Sequence, residues 1–226
     1  MRVLTVVKVG GSLARGPHLR PFCRVLPETL GWSTILVVPG GGILADSVRS
    51  LSQRWRLSDA TAHRMAILAM EQYGLMLTEM IPDARPVTDV HTWQRDPPRA
   101  VAVWLPARAL ADADSLPHTW DVTSDSIAAW VAGQLHADRL VLVKMVDGIR
   151  KQPDAPVGMY REISLATLRT LVEQGTCTEV DAHFPTILRE VSIETWIVNG
   201  AYPERFRQLL QHGYTRGTRI IPHMPD

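Results

Sequence analysis

The chain has 226 residues, 46% of them hydrophobic and 21% charged, and 24 Lys and Arg against 23 Asp and Glu give a formal net charge of +1. That balance supports a full buried core and argues against disorder, a polybasic nucleic-acid surface or an acidic tail, leaving a small molecule as the expected partner. Cys23 and Cys177 show no metal or redox spacing and make no disulfide framework, which fits a reducing cytoplasm. The apolar run at the N-terminus is broken by Lys8 and is too short for a signal core, and no later run is long enough to span a bilayer. A soluble protein is expected, and with no linker in sight residues 1–226 read as one domain.

Residues 3–13 are VLTVVKVGGSL, an apolar, β-branched run that carries one lysine and ends in two glycines and a serine. The pattern predicts a buried strand that turns sharply around something small. Without a Cβ, Gly10 and Gly11 let backbone N–H groups converge on an anion, while Lys8 supplies charge from the strand itself. Residues 19–30 keep roughly helical spacing despite Pro21 and Pro27, so a short or broken helix leads to the next strand and completes a β-α-β unit. That strand, in residues 34–42 (TILVVPGGG), ends in Gly40, Gly41 and Gly42 and opens a helix whose first amides also favour an anion. Either loop alone reads as an ordinary turn. Together they place two concave surfaces at one sheet edge, where open α/β sheets bind ligands.

A helix follows with Ile43, Leu44, Val48, Leu51 and Trp55 toward the sheet, and Ser58 caps a long helix to about Met80 whose methionines read as core or subunit contact. Residues 85–90 and 100–105 are expected strands, separated by Asp96, Pro97 and Pro98, with a loop over 106–119. Thr123 or Ser124 caps a small-residue helix ending near His136, and the strand RLVLVK at 139–144 runs into Met145, Val146, Asp147 and Gly148. Residues 151–160 read as an excursion or hairpin. Helices at 164–174, 181–191 and 203–212 and strands at 195–198 and in TRIIP complete the chain. Strands alternating with helices throughout predict a three-layer α/β/α sandwich with a mainly parallel sheet.

Three phosphate folds compete for the glycine loops. The Walker pattern is absent. Gly40, Gly42 and Ala45 match a relaxed dinucleotide fingerprint, which keeps a nicotinamide enzyme as a rival. The acid that should end the next strand is missing, however, since Asp59 begins a helix, and that reading leaves residues 8–12 unexplained. The ordered set KVGGSL, VVPGGG, VTSDSIA, VDGI and GTRI resembles the amino acid kinase superfamily, which includes acetylglutamate, glutamate, aspartate, carbamate and uridylate kinases. The matches span nearly the whole chain. Residues 62–74 and the stretch WDVTSDSIAA are most similar to its aspartokinase-like branch that phosphorylates [5-(aminomethyl)furan-3-yl]methyl phosphate for methanofuran-type cofactors.

The resemblance implies the carbamate kinase-like fold, ATP as donor and Mg²⁺ on its phosphates. It assigns Lys8 to the transferring phosphoryl group, where a fixed ammonium stabilises spread negative charge, and makes Asp125 the acid that orients the phosphate lysines. Gly10, Gly11 and Ser12 would contact the donor phosphates, and Gly40, Gly41 and Gly42 the acceptor or the moving group. Arg56 falls where relatives bind the acceptor's anion, and Asp121 at the acceptor-facing position, where its carboxylate suits an aminomethyl ammonium. His63 has two readings, an acceptor contact or an ordinary helix-start histidine. Lys144 through Gly148, Asp147 included, would border the nucleotide, and Lys151 would reach its phosphates. The remaining histidines lack ligand spacing, so no protein-bound metal is expected. Two departures stand out: Met145 replaces an aspartate or lysine, and the second catalytic lysine expected near 181–183 is missing, with Lys144 as the candidate substitute. That gap keeps open a protein of the same fold that binds nucleotide or oxyanion without transfer. The expected partners are a small phosphate or carboxylate acceptor and further copies of the chain, with no nucleic acid and no membrane.

Overall fold

A computed structural model describes residues 3–112, 116–152 and 158–222. The first half runs β1 (Val3–Val9), a tight 3-10 turn (Gly11–Arg15), α1 (Leu19–Glu28), β2 (Ser33–Pro39), α2 (Gly42–Trp55), α3 (Asp59–Met80), β3 (Arg85–Val87), α4 (Val90–Arg95) and β4 (Ala102–Trp104). The second runs α5 (Ala107–Asp112), α6 (Ser124–Gln134), β5 (Arg139–Lys144), β6 (Glu162–Ser164), α7 (Leu165–Glu173), α8 (Phe184–Val191), β7 (Glu194–Asn199), α9 (Pro203–His212) and β8 (Thr218–Ile221). The 8-stranded sheet has the order β3-β4-β2-β1-β5-β7-β8-β6. All its pairs are parallel except β7 with β8.

The chain leaves β1 toward β2 and β4, then returns to the other side of β1 to lay down β5. Such a reversal opens a crevice beyond the carboxyl ends of the strands, so the end of β1 is where a ligand is expected. Burial on both faces explains why β1, β2 and β5 read as near-continuous apolar runs. Their side chains still alternate: Val6, Leu36, Val38, Leu140 and Leu142 join the core under α6 and α8, while Val7, Val9, Ile35, Val141 and Val143 join the core under α1 and α9. Three layers result.

Most predicted elements form. Pro21 falls in the first turn of α1, where the missing N–H has no helical partner to lose, and Pro27 lies inside the helix one residue from its end. Ser58 caps α3 by accepting from the Thr61 N–H. The structure departs from expectation in the 85–119 region. Only Arg85–Val87 pairs as a strand, because the Asp89 carboxylate caps His91 and Thr92 and turns Val90 into the start of α4. The expected loop over 106–119 contains α5. The helix expected from 181 starts at Phe184, because the Asp181 side chain is spent on neighbouring backbone. Arg150 and Met159 form an antiparallel bridge as a hairpin would, while the tip at 153–157 lies outside the described residues.

Candidate active site

Strand alternation aims two lysines at one carboxylate. Lys8 shares the β1 face of Val6, and Lys144 the β5 face of Leu140 and Leu142, so both point under α6 at the carboxyl edge of the sheet. There Asp125, in the first turn of α6, receives them: Lys8 Nζ stands 3.0 Å from Oδ1, and Lys144 Nζ donates to Oδ2 at 2.6 Å. Asp125 and Lys8 are buried, and Lys144 is partly so. Burial alone would raise the Asp125 carboxyl, but the Lys144 and Lys8 ammonium groups outweigh it and bring its pKa down to about 2. Lys8 moves below the ordinary lysine value, because its desolvation and the nearby Lys144 together exceed the attraction of Asp125. The site thus gathers two ammonium groups on one fixed carboxylate, with the Asp181 carboxylate close enough to act on Lys8 as well.

Asp181 stands at the place where the second family lysine was expected. Its carboxylate accepts from the Thr123 N–H at 3.0 Å, the Thr123 hydroxyl at 2.7 Å, the Ser126 N–H at 3.0 Å and the Phe184 N–H at 2.9 Å, as well as from the Ser126 hydroxyl. It caps α6 and α8 together. Its pKa is raised, first by burial and then by the Asp125 charge, against the pull of the Ser126 and Thr123 donors. The acid therefore fixes the helix that carries Asp125, and the second ammonium enters from β5 as Lys144.

The two glycine loops lie against each other. A Cβ on Gly11 would stand 2.2 Å from Gly42 Cα, and one on Gly40 2.7 Å from Gly11 N, so side chains at either position would push the loops apart. Two amides expected to face an anion are already used: Gly10 N–H donates to Val143 O and Gly40 N–H to Val9 O, each at 2.9 Å. Gly10 and Gly40 therefore contribute shape. The donors the loops offer are the first-turn amides of α2, which a helix leaves without internal partners. A Cβ on Gly10 would lie 3.7 Å from Lys8 Nζ, which places the loop beside the charged group, and Ser12 is exposed next to it.

Beside the second glycine loop, Gly41, Ala45, Arg49, His63, Trp120 and Ser124 line a cleft of about 70 Å³ together with apolar residues that include Ile67, Met70, Val122 and Ile127. His63 is buried and stacks on His118 with ring centroids 4.5 Å apart. Asp121 is exposed, and its carbonyl accepts from the His183 N–H at 3.1 Å. Arg56 is not brought to the glycine loops. It ends α2 in left-handed backbone (φ 50°), exposed, at the opposite end of a helix about 21 Å long from Gly42. Beyond β5, Asp147 accepts from Arg205 at 2.6 Å, Asn199 at 2.8 Å and Arg216 at 2.9 Å, so it ties the loop after β5 to β7 and α9. Gly148 is buried beside it, and Lys151 is exposed with its ammonium 5.7 Å from the centre of the Tyr160 ring. Sequence reading missed Arg49, Trp120 and the capping role of Asp181. Arg49 was available from spacing alone, since Gly41, Ala45 and Arg49 fall on one helical face.

Two glycine loops at a switch point, facing a buried carboxylate that holds two lysines, define a phosphoryl-handling α/β enzyme. The sequence pattern described as the amino acid kinase family matches residues 3–199, and the chain belongs to that family of kinases, which implies use of ATP. It is 27% identical over 219 residues to [5-(aminomethyl)furan-3-yl]methyl phosphate kinase from Methanocaldococcus jannaschii, covering 96% of this chain and 97% of the relative. It is 24% identical to uridylate kinase from Methanococcoides burtonii, covering 97% and 100% of the two chains. The crystal structure of uridylate kinase from Archaeoglobus fulgidus superposes with a TM-score of 0.76 at 23% identity, covering 97% of this chain and all of the other, and shows the same fold.

Proposed function

We propose that the chain transfers the γ-phosphoryl group of ATP to the phosphate of [5-(aminomethyl)furan-3-yl]methyl phosphate, yielding ADP and a diphosphate for methanofuran-type cofactor synthesis. The observation that carries the transfer is Asp125 held between Lys8 and Lys144 at the end of β1 and β5. The acceptor rests on the similarity to the Methanocaldococcus jannaschii kinase over nearly the whole chain. An ionised phosphate oxygen attacks the γ-phosphorus in line as the bond to the β,γ-bridging oxygen breaks and ADP leaves with the electron pair. Such a nucleophile needs no general base. Lys8 and Lys144 offset the charge on the equatorial oxygens, Asp125 holds both ammonium groups in place, and the glycine loops shape the path.

Among the described residues no three His, Cys, Asp or Glu side chains converge as a metal cage, and both Asp125 oxygens face lysines. Magnesium fits this site as an ion carried on nucleotide phosphates and water, where it neutralises charge on the polyphosphate. Asp121 offers a carboxylate to the aminomethyl ammonium. Asp121→Asn is expected to raise the acceptor KM several-fold with little change in kcat, and unchanged acceptor kinetics would remove Asp121 from the site. The non-transferring alternative drew its support from a missing second lysine, and the contact of Lys144 with Asp125 favours the transferring reading. The working unit in this reading is one cytoplasmic domain that pairs with itself.

Phosphorus NMR of the protein with ATP, Mg²⁺ and the furan phosphate, beside Lys8→Ala, tests the reading. A diphosphate signal in the wild type alone is expected. ATP consumption without that signal, or an equal signal in Lys8→Ala, would overturn it.

A further inference from the structure

Among the described residues, one cation lining the cleft beside the second glycine loop has no acid to answer it. Arg49 lies on α2 on the face shared by Gly41 and Ala45, about 10 Å along the axis from Gly42. Helical side chains lean toward the N-terminus, so its guanidinium is carried back toward the glycine loop. It lies over the Trp120 ring, 4.5 Å from the centroid, and both residues line the cleft with Gly41 and Ser124, the neighbour of Asp125. Arg49 is exposed, and among the described residues no carboxylate lies within ion-pair distance of it; what sets it apart from other exposed arginines is its place over Trp120 in the cleft.

The charge count explains what such a group would do. Lys8 and Lys144 bring two positive charges, but Asp125 stands between them and Asp181 also acts on Lys8. A dianionic acceptor entering beside the polyphosphate of ATP needs a further cation at its own end. A guanidinium resting on an indole keeps its N–H edge free, and its planar fork matches two oxygens of one phosphate. The cleft is small, about 70 Å³, and opens beside the second glycine loop. Resting on the kinase reading above, we infer that Arg49, supported by Trp120, grips the dianionic phosphate of the acceptor and selects phosphomonoesters as substrates.

Calorimetric titration of benzyl phosphate, an aryl-methyl phosphomonoester without an ammonium, tests this without requiring turnover. Arg49→Ala is expected to weaken its binding about ten-fold or more, and Arg49→Lys by less, because lysine keeps the charge but loses the fork. Arg54→Ala removes an arginine stacked over Trp55 on the same helix and is expected to leave binding unchanged. In the phosphoryl-transfer assay, Arg49→Ala should raise the acceptor KM while the ATP KM stays the same. Wild-type affinity in Arg49→Ala, a loss confined to Arg56→Ala, or failure of the ester to bind the wild type would each overturn the inference. If the ester binds through Arg49 but no diphosphate forms from the furan phosphate, the transfer reading fails and the anion site stands.

Discussion

Asp125 is the residue on which the charges of the site converge, and its pKa turns that position into a pH-dependent quantity. A carboxylate at about 2 in the folded chain, against an ordinary 3.8, contributes stability that is fully present above the ordinary value and lost as pH falls through the folded one. The size is on the order of 2 kcal/mol. Asp181, whose pKa is raised, works with the opposite sign and offsets part of this. Thermal melts between about pH 2 and 5 should therefore fall more steeply for the wild type than for Asp125→Asn. Parallel curves would show that the lysines do not hold the carboxylate ionised. Asp125→Asn itself should cost about 3–5 kcal/mol, since it leaves two ammonium groups together without their acid. Lys8 sets the alkaline side: because its pKa is lowered, activity that needs the ammonium should fade at a lower pH than an ordinary lysine would allow. Lys144→Met separates catalysis from folding. A loss of about 10²–10³ in kcat at similar ATP KM is expected if its ammonium acts on the transition state, and a kcat close to wild type would confine Lys144 to a structural tie.

At the scale of elements, the site depends on two rigid contacts, the glycine loops and the trans cap on α6. Gly11→Ala puts a methyl into the Gly42 backbone and should cost about 1–3 kcal/mol with loss of acceptor binding, read by denaturant melts and titration. Asp181→Ala strips five donors at the start of α6 and α8, and should lower the melting temperature more than Asp181→Asn, which keeps one acceptor oxygen. These contacts also mark where sequence reading succeeded and failed. The strands and long helices were legible because burial on two faces writes long apolar runs and because Ser58, Ser164 and Gly213 punctuate the helices. Lys8, Asp125 and Lys144 were legible as a set through family resemblance. Their convergence follows from strand parity, which fixes the face of each lysine once the pairing of β1 with β5 is known. Asp181 was opaque because its partners on α6 lie more than fifty residues away in sequence. Asp147 reads as a nucleotide contact in sequence, yet its carboxylate is bound by Arg205 and Arg216, which no local pattern announces.

At the scale of the whole molecule, the feature left unaccounted for is apolar surface. Ile43, Leu51 and Trp55, expected to face the sheet, instead repeat along an exposed side of α2, and Leu68, Leu75 and Met76 along one side of α3, all substantially exposed, with Trp55 at 65% and Ile43 at 61%. Scattered exposed leucines mean little, but Ile43 of α2 and Met76 of α3 line one cavity, and exposed apolar stripes on two neighbouring helices are a feature that self-association would cover. A second copy of the chain is the occupant consistent with a twofold pairing of like surfaces. Sedimentation equilibrium at micromolar concentration should give twice the chain mass, and Leu75→Glu should shift it to the single-chain mass while leaving the buried core untouched, because that side chain is 54% exposed. Gly41 and Tyr73 also line that cavity, of about 560 Å³ beside the glycine loop, so pairing at this face would press on α2 where the loop enters it. A monomeric Leu75→Glu should then show a raised acceptor KM at unchanged ATP KM. A wild type that sediments as a single chain at tens of micromolar would remove self-association from the account and leave the phosphoryl site as described.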